Sequence, residues 1–182
     1  MAAINVRQWG SGDRHAVLIH GLGSSSTSWW EVGPELARRG YYVHAVDLPG
    51  HGDSEPLSEY SVEALVDAVV GAVPASPELA IGHSLGGLTL AHAVSSLKPA
   101  HAVYVDPAWT VTADAGVVGF FRSQKSWTLD DVAQNYPRWD AAGHARKLEA
   151  LQKWDVSILD GLTSFTSADV EVPAVPSTVR IG

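Results

Sequence analysis

The chain has 182 residues, of which 46% are hydrophobic and 18% are charged, and this composition predicts one globular domain with a substantial core. Its 20 acidic residues outnumber its 12 basic residues and no basic cluster occurs, so neither nucleic acid nor an anionic membrane is an expected partner. The absence of cysteine excludes disulfides, thiolate metal sites and a cysteine nucleophile, and it fits a cytoplasmic protein.

Short apolar runs alternate with amphipathic stretches over the first hundred residues. The predicted strands cover residues 3–9, 16–19, 42–46, 78–81 and 102–105, and the predicted helices cover residues 28–39, 62–73 and 85–97. We expect the first helix to begin with a capping box of Ser28 and Glu31 and to stop at Gly40. This alternation predicts an α/β fold with a doubly wound, mostly parallel sheet.

The pattern changes after Asp106. From there to about residue 160 the sequence is helical and free of strand signals, with Thr128 as the expected N-cap of one helix. Residues 175–182 predict one more strand, in which Pro176 can stand only at the start because it lacks an N–H for the ladder.

The hexapeptide GHSLGG, residues 82–87, carries the strongest chemical signal. It lies between a predicted strand and a predicted helix, which is the setting of a nucleophile elbow. Small neighbours at Gly82 and Gly86 would let the chain pass through a strained turn that presents the hydroxyl of Ser84 at a helix N-terminus. The alternative interpretation is a serine that merely caps the helix.

Five segments together resemble the α/β-hydrolase superfamily, in its small soluble esterase and lactonase-like branch. They are HGLGSSSTSWW from residue 20, DLPGHGDS from residue 47, GHSLGG, VYVDPAW from residue 103 and VPSTVRIG from residue 175. The resemblance implies a core at residues 1–106, a helical cap at residues 107–165, and a return to the core with a terminal strand at residues 166–182. It also implies that Ser84 attacks an acyl carbonyl and forms an acyl-enzyme.

Two backbone N–H groups are expected to form the oxyanion hole. One belongs to Leu85, directly after the nucleophile, and the other to Leu22, in the loop after the strand at residues 16–19. Glycines at positions 21 and 23 would let that loop approach the elbow closely. The alternative is an ordinary glycine-rich connection between strand and helix.

The histidines and aspartates of these segments are expected to differ in role, some structural and one catalytic. The resemblance places His20 and His51 in loops that shape the floor of the site rather than in a catalytic role, and His83 is expected to face away from Ser84. Asp106, at the carboxyl edge of the sheet, is a candidate for the triad acid, with a loop-pinning carboxylate before Pro107 as the alternative. Asp47 and Asp53 are expected to be structural turn residues.

The general base of such a triad is not identified in this chain. In the family the histidine follows the last strand, whereas the last histidine here is His144, within the presumed cap. We therefore expect a longer hydrolase that is incomplete here, lacking the last strand and helix. The alternatives are a degenerate binding protein and a base role for His144. The strand at 177–181 would then be an open edge that favours self-association.

The functional prediction is a cofactor-independent serine hydrolase that uses no metal and cleaves a small, largely apolar carboxylic ester or lactone. The apolar preference depends on aromatic residues of the presumed cap, which either line a pocket or only pack the cap onto the sheet: Trp109, Phe120, Phe121, Trp127, Tyr136 and Trp139. A cofactor-free haloperoxidase, a carbon–carbon bond hydrolase and a ligand-binding protein remain alternatives. The first ten residues have no apolar signal core and no apolar stretch approaches ~18 residues, so we expect neither secretion nor membrane insertion.

Overall fold

Six strands form one sheet in the computed structural model, which describes residues 2–109, 115–163 and 178–181. The strands follow the order β1-β3-β2-β4-β5-β6 across the sheet, with β1 antiparallel to β3 and every other neighbouring pair parallel. Their bounds are β1 Val6–Trp9, β2 His15–Ile19, β3 Tyr42–Val46, β4 Leu79–His83, β5 His101–Val105 and β6 Thr178–Ile181. The predicted α/β architecture with a mostly parallel sheet is therefore confirmed.

The described helices lie between these strands and, after β5, follow one another. Their bounds are α1 Val32–Arg38, α2 Val62–Ala72, α3 Leu85–Leu97, α4 Ala115–Ser123, α5 Leu129–Asn135, α6 Ala141–Lys153 and α7 Ile158–Thr163, with 3₁₀ turns at Ser26–Trp29 and Gln124–Ser126. The limits of α3 agree with the prediction from sequence. Between residues 115 and 163 the described chain is helical and strand-free, as expected.

Both faces of the sheet are covered, because alternate residues of each buried strand point to opposite sides. On β2, Val17 and Ile19 belong to the larger apolar cluster, which includes residues of α2, α3 and the later helices. Ala16 and Leu18 belong to a smaller cluster on the other face, with Trp29 and residues of α1. Helices on both faces make the sheet doubly wound.

The predicted start of the first helix is wrong. A 3₁₀ turn at Ser26–Trp29 precedes α1, and the hydroxyl of Ser25 caps that turn by accepting from the N–H of Thr27. The Ser28 hydroxyl donates to the carbonyl of Ser25 instead of forming a capping box, and Glu31 at the N-cap of α1 makes no side-chain cap. The carbonyl of Ser25 thus accepts the hydroxyl that the sequence pattern assigned to the N-terminal cap of the first helix.

The predicted stop at Gly40 is confirmed. Gly40 has φ +86°, its N–H donates to Ala37, and the N–H of Tyr41 donates to Leu36. These are the two bonds of a Schellman motif, which needs a residue in the left-handed region and favours glycine there. The first strand begins later than predicted, at Val6, because Asn5 bonds instead to the loop after β3 through Ser54 and Asp47.

The region after β5 shares the core of the sheet. Trp154, Ile158 and Leu159 are buried in the same cluster as Val17 and Ile19. Thr128 caps α5 in a full capping box with Asp131, which confirms the predicted N-cap. The division at 106 and 165 between core and cap stays a prediction, and residues 164–177, including Pro176 and Ser177, lie outside the described part.

The chain segment after α6 is fastened to the loop after β3. The N–H of Asp155 donates to the carbonyl of Gly50, and the Tyr60 hydroxyl donates to the Asp155 carboxylate over 3.0 Å. Lys153 pairs with Asp53 over 2.8 Å. These contacts between residues about 100 positions apart hold the helices after β5 over the carboxyl edge of the sheet.

Candidate active site

Ser84 occupies a sharp turn between β4 and α3. Its backbone has φ +50° and ψ −117°, a combination that costs a non-glycine residue about 1–3 kcal/mol and persists only where surrounding structure enforces it. The enforcing bonds are visible: the N–H of Ser84 donates to Val105, and its carbonyl accepts from Gly87, Leu88 and Ala108. The hydroxyl makes no cap to α3, which argues against the capping interpretation.

The glycines of the hexapeptide are explained by close backbone approaches. A Cβ at Gly82 would collide with the Gly86 carbonyl, and a Cβ at Gly86 would collide with the carbonyl oxygens of Ile19 and His20. A Cβ at Gly87 would lie 2.8 Å from Pro107. The first turn of α3 therefore sits directly on the ends of β2 and β4, which is what brings Ser84 to the edge of the sheet.

The loop after β2 reaches the serine. A Cβ added at Gly21 would lie 3.0 Å from the Cβ of Ser84, so only glycine lets this loop come so near. The next N–H belongs to Leu22, and the one after it, of Gly23, donates to His51 Nε2. The predicted donors Leu22 and Leu85 thus flank Ser84 from the loop and from the helix, and their role as an oxyanion hole stays a prediction.

His20 and His51 are structural acceptors beneath that loop. Each donates from Nδ1 to a backbone carbonyl, of Gly21 and Pro49, and each accepts at Nε2 a backbone N–H, from Leu48 and Gly23. Both rings are fully buried. Burial lowers the pKa of His20 to about 4 and that of His51 to about 3, so both are neutral at pH 7.

Asp47 and Asp53 have structural roles, as the sequence suggested. The buried carboxylate of Asp47 accepts hydrogen bonds from Asn5 and from the N–H groups of Ser26 and Asp53. Burial by itself would raise the pKa of Asp47, but these hydrogen bonds outweigh burial and lower it. Asp53 pairs with Lys153.

His83 directly precedes the serine at the end of β4, and Asp106 follows the neighbouring strand β5. Asp106 directly follows β5, is exposed and has φ +40°. His83 ends β4; the surrounding protein lowers the pKa of its ring, and the charge of Asp106 opposes that shift. The charge of Asp106 therefore acts on the residue directly before Ser84. The assignment of Asp106 as the triad acid stays a prediction.

No histidine hydrogen-bonds the Ser84 hydroxyl within the part of the chain that the structure describes. The alternative base, His144, lies on α6 and its Nε2 donates to the carbonyl of Tyr136 over 2.9 Å. That ring serves the packing of α5 against α6. The described residues also contain no group of three His, Cys, Asp or Glu that could hold a metal ion.

Sequence reasoning missed Lys147, a half-buried cation that contacts the loop after β2. Its Nζ donates to the carbonyl of Gly23 over 2.9 Å and lies 5.7 Å from the ring centre of Tyr136. Burial lowers its pKa to about 8, so it remains mostly protonated at pH 7. No motif marks this residue, because its position depends on how α6 packs on the loop after β2.

The aromatic residues of the helical region divide into two groups. Trp109, Phe121, Trp127 and Tyr136 pack against the main core cluster, which supports the packing alternative for them. Phe120 and Trp139 are about half exposed, and Trp139 stacks on Tyr136. Trp139 also lines a cavity beside α6.

The chain is similar to known proteins in sequence and in fold. The sequence profile described as "Alpha/beta hydrolase family" matches residues 16–179. A pimeloyl-[acyl-carrier protein] methyl ester esterase of Klebsiella pneumoniae is 40% identical over 91 residues, which are 50% of this chain and 34% of that protein. The chain spans between 30% and 39% of the length of the curated relatives it matches.

Solved structures show the same fold at low sequence identity. The thioesterase domain from the curacin biosynthetic pathway superposes with a TM-score of 0.74 at 22% identity, over 98% of this chain and 79% of that one. A bromoperoxidase from Bacillus anthracis superposes with a TM-score of 0.72 at 19% identity, over 93% of this chain and 71% of that one. None of the helices in the described part is both long and apolar enough to cross a membrane.

Proposed function

Because this chain belongs to the alpha/beta hydrolase family and has relatives named as esterases, we propose that it is a cofactor-independent serine hydrolase that acts through an acyl-enzyme on Ser84. Its substrate class is a small, largely apolar carboxylic ester or lactone. The observation that carries the proposal is the strained turn at Ser84, φ +50°, which holds a hydroxyl that caps no helix. Strain of this kind is concentrated at functional sites.

The first step follows from the position of the serine. Ser84 Oγ attacks the carbonyl carbon, and the carbonyl oxygen becomes an oxyanion. The bond from that carbon to the alkoxy oxygen then breaks, the alcohol leaves with the proton of the serine hydroxyl, and Ser84 Oγ becomes the ester oxygen of the acyl-enzyme. The N–H groups of Leu22 and Leu85 are the proposed donors to the oxyanion. Removing one such donor typically costs about 10²–10³ in rate. Water then releases the acid and restores the serine.

Proton transfer is the step for which the described residues supply no base. Acid–base assistance typically accelerates such a reaction by roughly 10²–10⁴-fold. When that assistance is lost, the oxyanion hole and substrate binding still give a rate roughly 10³–10⁴-fold above that in water. Asp106 is proposed as the acid that would orient a histidine in the complete protein. The relatives' greater length leaves room for that histidine, which is why full activity is proposed for the whole protein.

The missing base favours a second candidate, a ligand-binding protein that uses the same edge of the sheet. The two candidates differ in the chemistry of Ser84. A fluorophosphonate probe forms a covalent bond with an activated serine hydroxyl, whereas a binding protein leaves the probe intact.

The test is labelling followed by mass spectrometry of the modified peptide. We expect the folded chain to be labelled at Ser84 and the Ser84→Ala variant to be unlabelled. Ser95→Ala, an exposed serine on the same helix, is the matched control and should label like the parent. A folded parent chain without any label at Ser84 would refute an activated serine in this chain and favour either the ligand-binding candidate or an inactive fragment.

A further inference from the structure

A cavity of about 350 Å³ lies between the 3₁₀ turn at Ser26–Trp29 and helix α6. Two tryptophans and three cations stand out among its lining residues, which include Trp30, Trp139, Arg138, Arg146 and Lys147. Its volume is at the lower end of the range for small-molecule sites. Ser84 and the proposed oxyanion donors are not part of the lining, so this is a second region with its own chemistry.

Arg146, one of the residues that line this cavity, has a guanidinium nitrogen without a hydrogen-bond partner among the described residues. Its Nη1 is buried and has no hydrogen-bond partner among the described residues, and none of the ion pairs between described residues includes it. The guanidinium carbon lies 4.5 Å from the ring centre of Trp30, so the charge has a cation–π contact. A buried charged donor without a partner is costly, and an anion entering the cavity would remove that cost.

The charges around the cavity indicate which anion fits. Arg138, Arg146 and Lys147 are opposed by Glu31 and Asp140, and one Asp140 oxygen already accepts from the N–H of Gly143. The lining therefore carries one excess positive charge, in a chain whose formal net charge is −8. One excess charge matches a carboxylate better than a phosphate dianion, and a guanidinium can bind a carboxylate through two parallel hydrogen bonds.

The cavity is close to the serine along the chain. Ser24, another lining residue, is three positions after Gly21, whose Cβ position is 3.0 Å from Ser84 Cβ. Three residues of extended chain span at most about 11 Å. Lys147 connects the two regions, because it lines the cavity and donates to the carbonyl of Gly23 in the loop after β2.

We propose that this cavity binds the free carboxylate of the substrate through Arg146, while the apolar chain lies between Trp30 and Trp139 and the ester end reaches Ser84. The substrate class is then a half ester of a small dicarboxylic acid. This inference rests on the proposed function for the ester end only, and the carboxylate site is independent of any chemistry at Ser84.

The test is calorimetric titration of the Ser84→Ala chain, so that no ligand is consumed. The probes are monomethyl adipate, which carries one carboxylate, dimethyl adipate, which carries none, and inorganic phosphate. We expect monomethyl adipate to bind about tenfold or more tightly than the other two, as a charge-assisted hydrogen-bonded pair implies. Arg146→Gln should abolish that preference, whereas Arg7→Gln, at an exposed arginine on β1, should retain it.

The outcomes separate cleanly. Equal binding of the two esters, or an unchanged preference in folded Arg146→Gln, would overturn the proposal, and tighter binding of phosphate would overturn the choice of a carboxylate. The preference of the Ser84→Ala chain itself decides the matter if Arg146→Gln does not fold. Labelling of Ser84 by the fluorophosphonate without tighter binding of monomethyl adipate would support the hydrolase proposal and refute the carboxylate site. Tighter binding of monomethyl adipate without labelling would support the carboxylate site and not the hydrolase proposal.

Discussion

Acid should unfold this protein through two buried histidines. The rings of His20 and His51 are neutral and fully buried, with each Nε2 accepting a backbone N–H. Protonation would place a charge in the interior and replace each acceptor by a donor. The unfolded chain therefore binds protons at these two histidines below their ordinary pKa of about 6.5, whereas the folded chain binds them only at lower pH.

The magnitude follows from the pKa values. They are about 4 for His20 and about 3 for His51 in the folded chain, against 6.5 as the ordinary value. At pH 5 the unfolded state binds both protons and the folded state binds neither, so at about 1.4 kcal/mol per pH unit the loss is roughly 2 kcal/mol for each histidine. By pH 4 the combined loss is about 6 kcal/mol, because folded His20 is then half protonated, and this loss is comparable with the whole stability of many domains.

The sign of the effect is fixed by the direction of these shifts. A lowered histidine pKa makes the free energy of unfolding rise as the pH increases from about 4 to 6.5 and level off above that. His44 and His83, whose pKa values are also lowered by burial, act in the same direction. Asp47, with its lowered carboxyl pKa, adds a loss only as the pH falls toward its ordinary value near 4 and below.

Urea titrations followed by tryptophan fluorescence at pH 7.5, 6, 5.5 and 5 would measure this slope. We expect a change of about 2.4 kcal/mol or more between pH 6 and 5, and a change smaller by about 1.2 kcal/mol over that unit in His51→Gln. The variant His101→Gln, at an exposed position on β5, is the matched control and should keep the parent slope. A free energy of unfolding that stays constant from pH 7.5 to 5 would refute the reasoning.

Two further substitutions test the packing that positions the site. Gly86→Ala should lower the free energy of unfolding by about 1–3 kcal/mol, because the new Cβ meets the carbonyl oxygen of Ile19, whereas Gly71→Ala on α2 meets no atom within 4 Å and should stabilise by up to about 1 kcal/mol. Equal melting temperatures for these two alanine variants would contradict the close approach. Tyr60→Phe removes the hydrogen bond to Asp155 and should cost about 1 kcal/mol in urea titrations, and an unchanged midpoint would show that the bond does not stabilise the segment after α6.

The sequence predicted helices and helix ends correctly where a single physical requirement decides the local structure. The apolar stripe of α2 and the glycine at the end of α1 needed only helical periodicity and a left-handed residue. The first helix was mispredicted at its start because Ser25 and Ser28 compete for the same backbone groups, and their spacing alone does not show which one wins. Thr128 offered no such competition and was predicted correctly.

The sequence by itself determined the fold class and the candidate nucleophile, since alternating strand and helix signals and the glycines around Ser84 are short-range consequences of chain geometry. Only the tertiary structure decided what lies around that serine. It brought Gly21 against Ser84, neutralised His20 and His51 by burial, and joined α6 to the loop after β2 through Lys147. Burial and partner choice depend on residues distant in the chain, so no local pattern could have specified them.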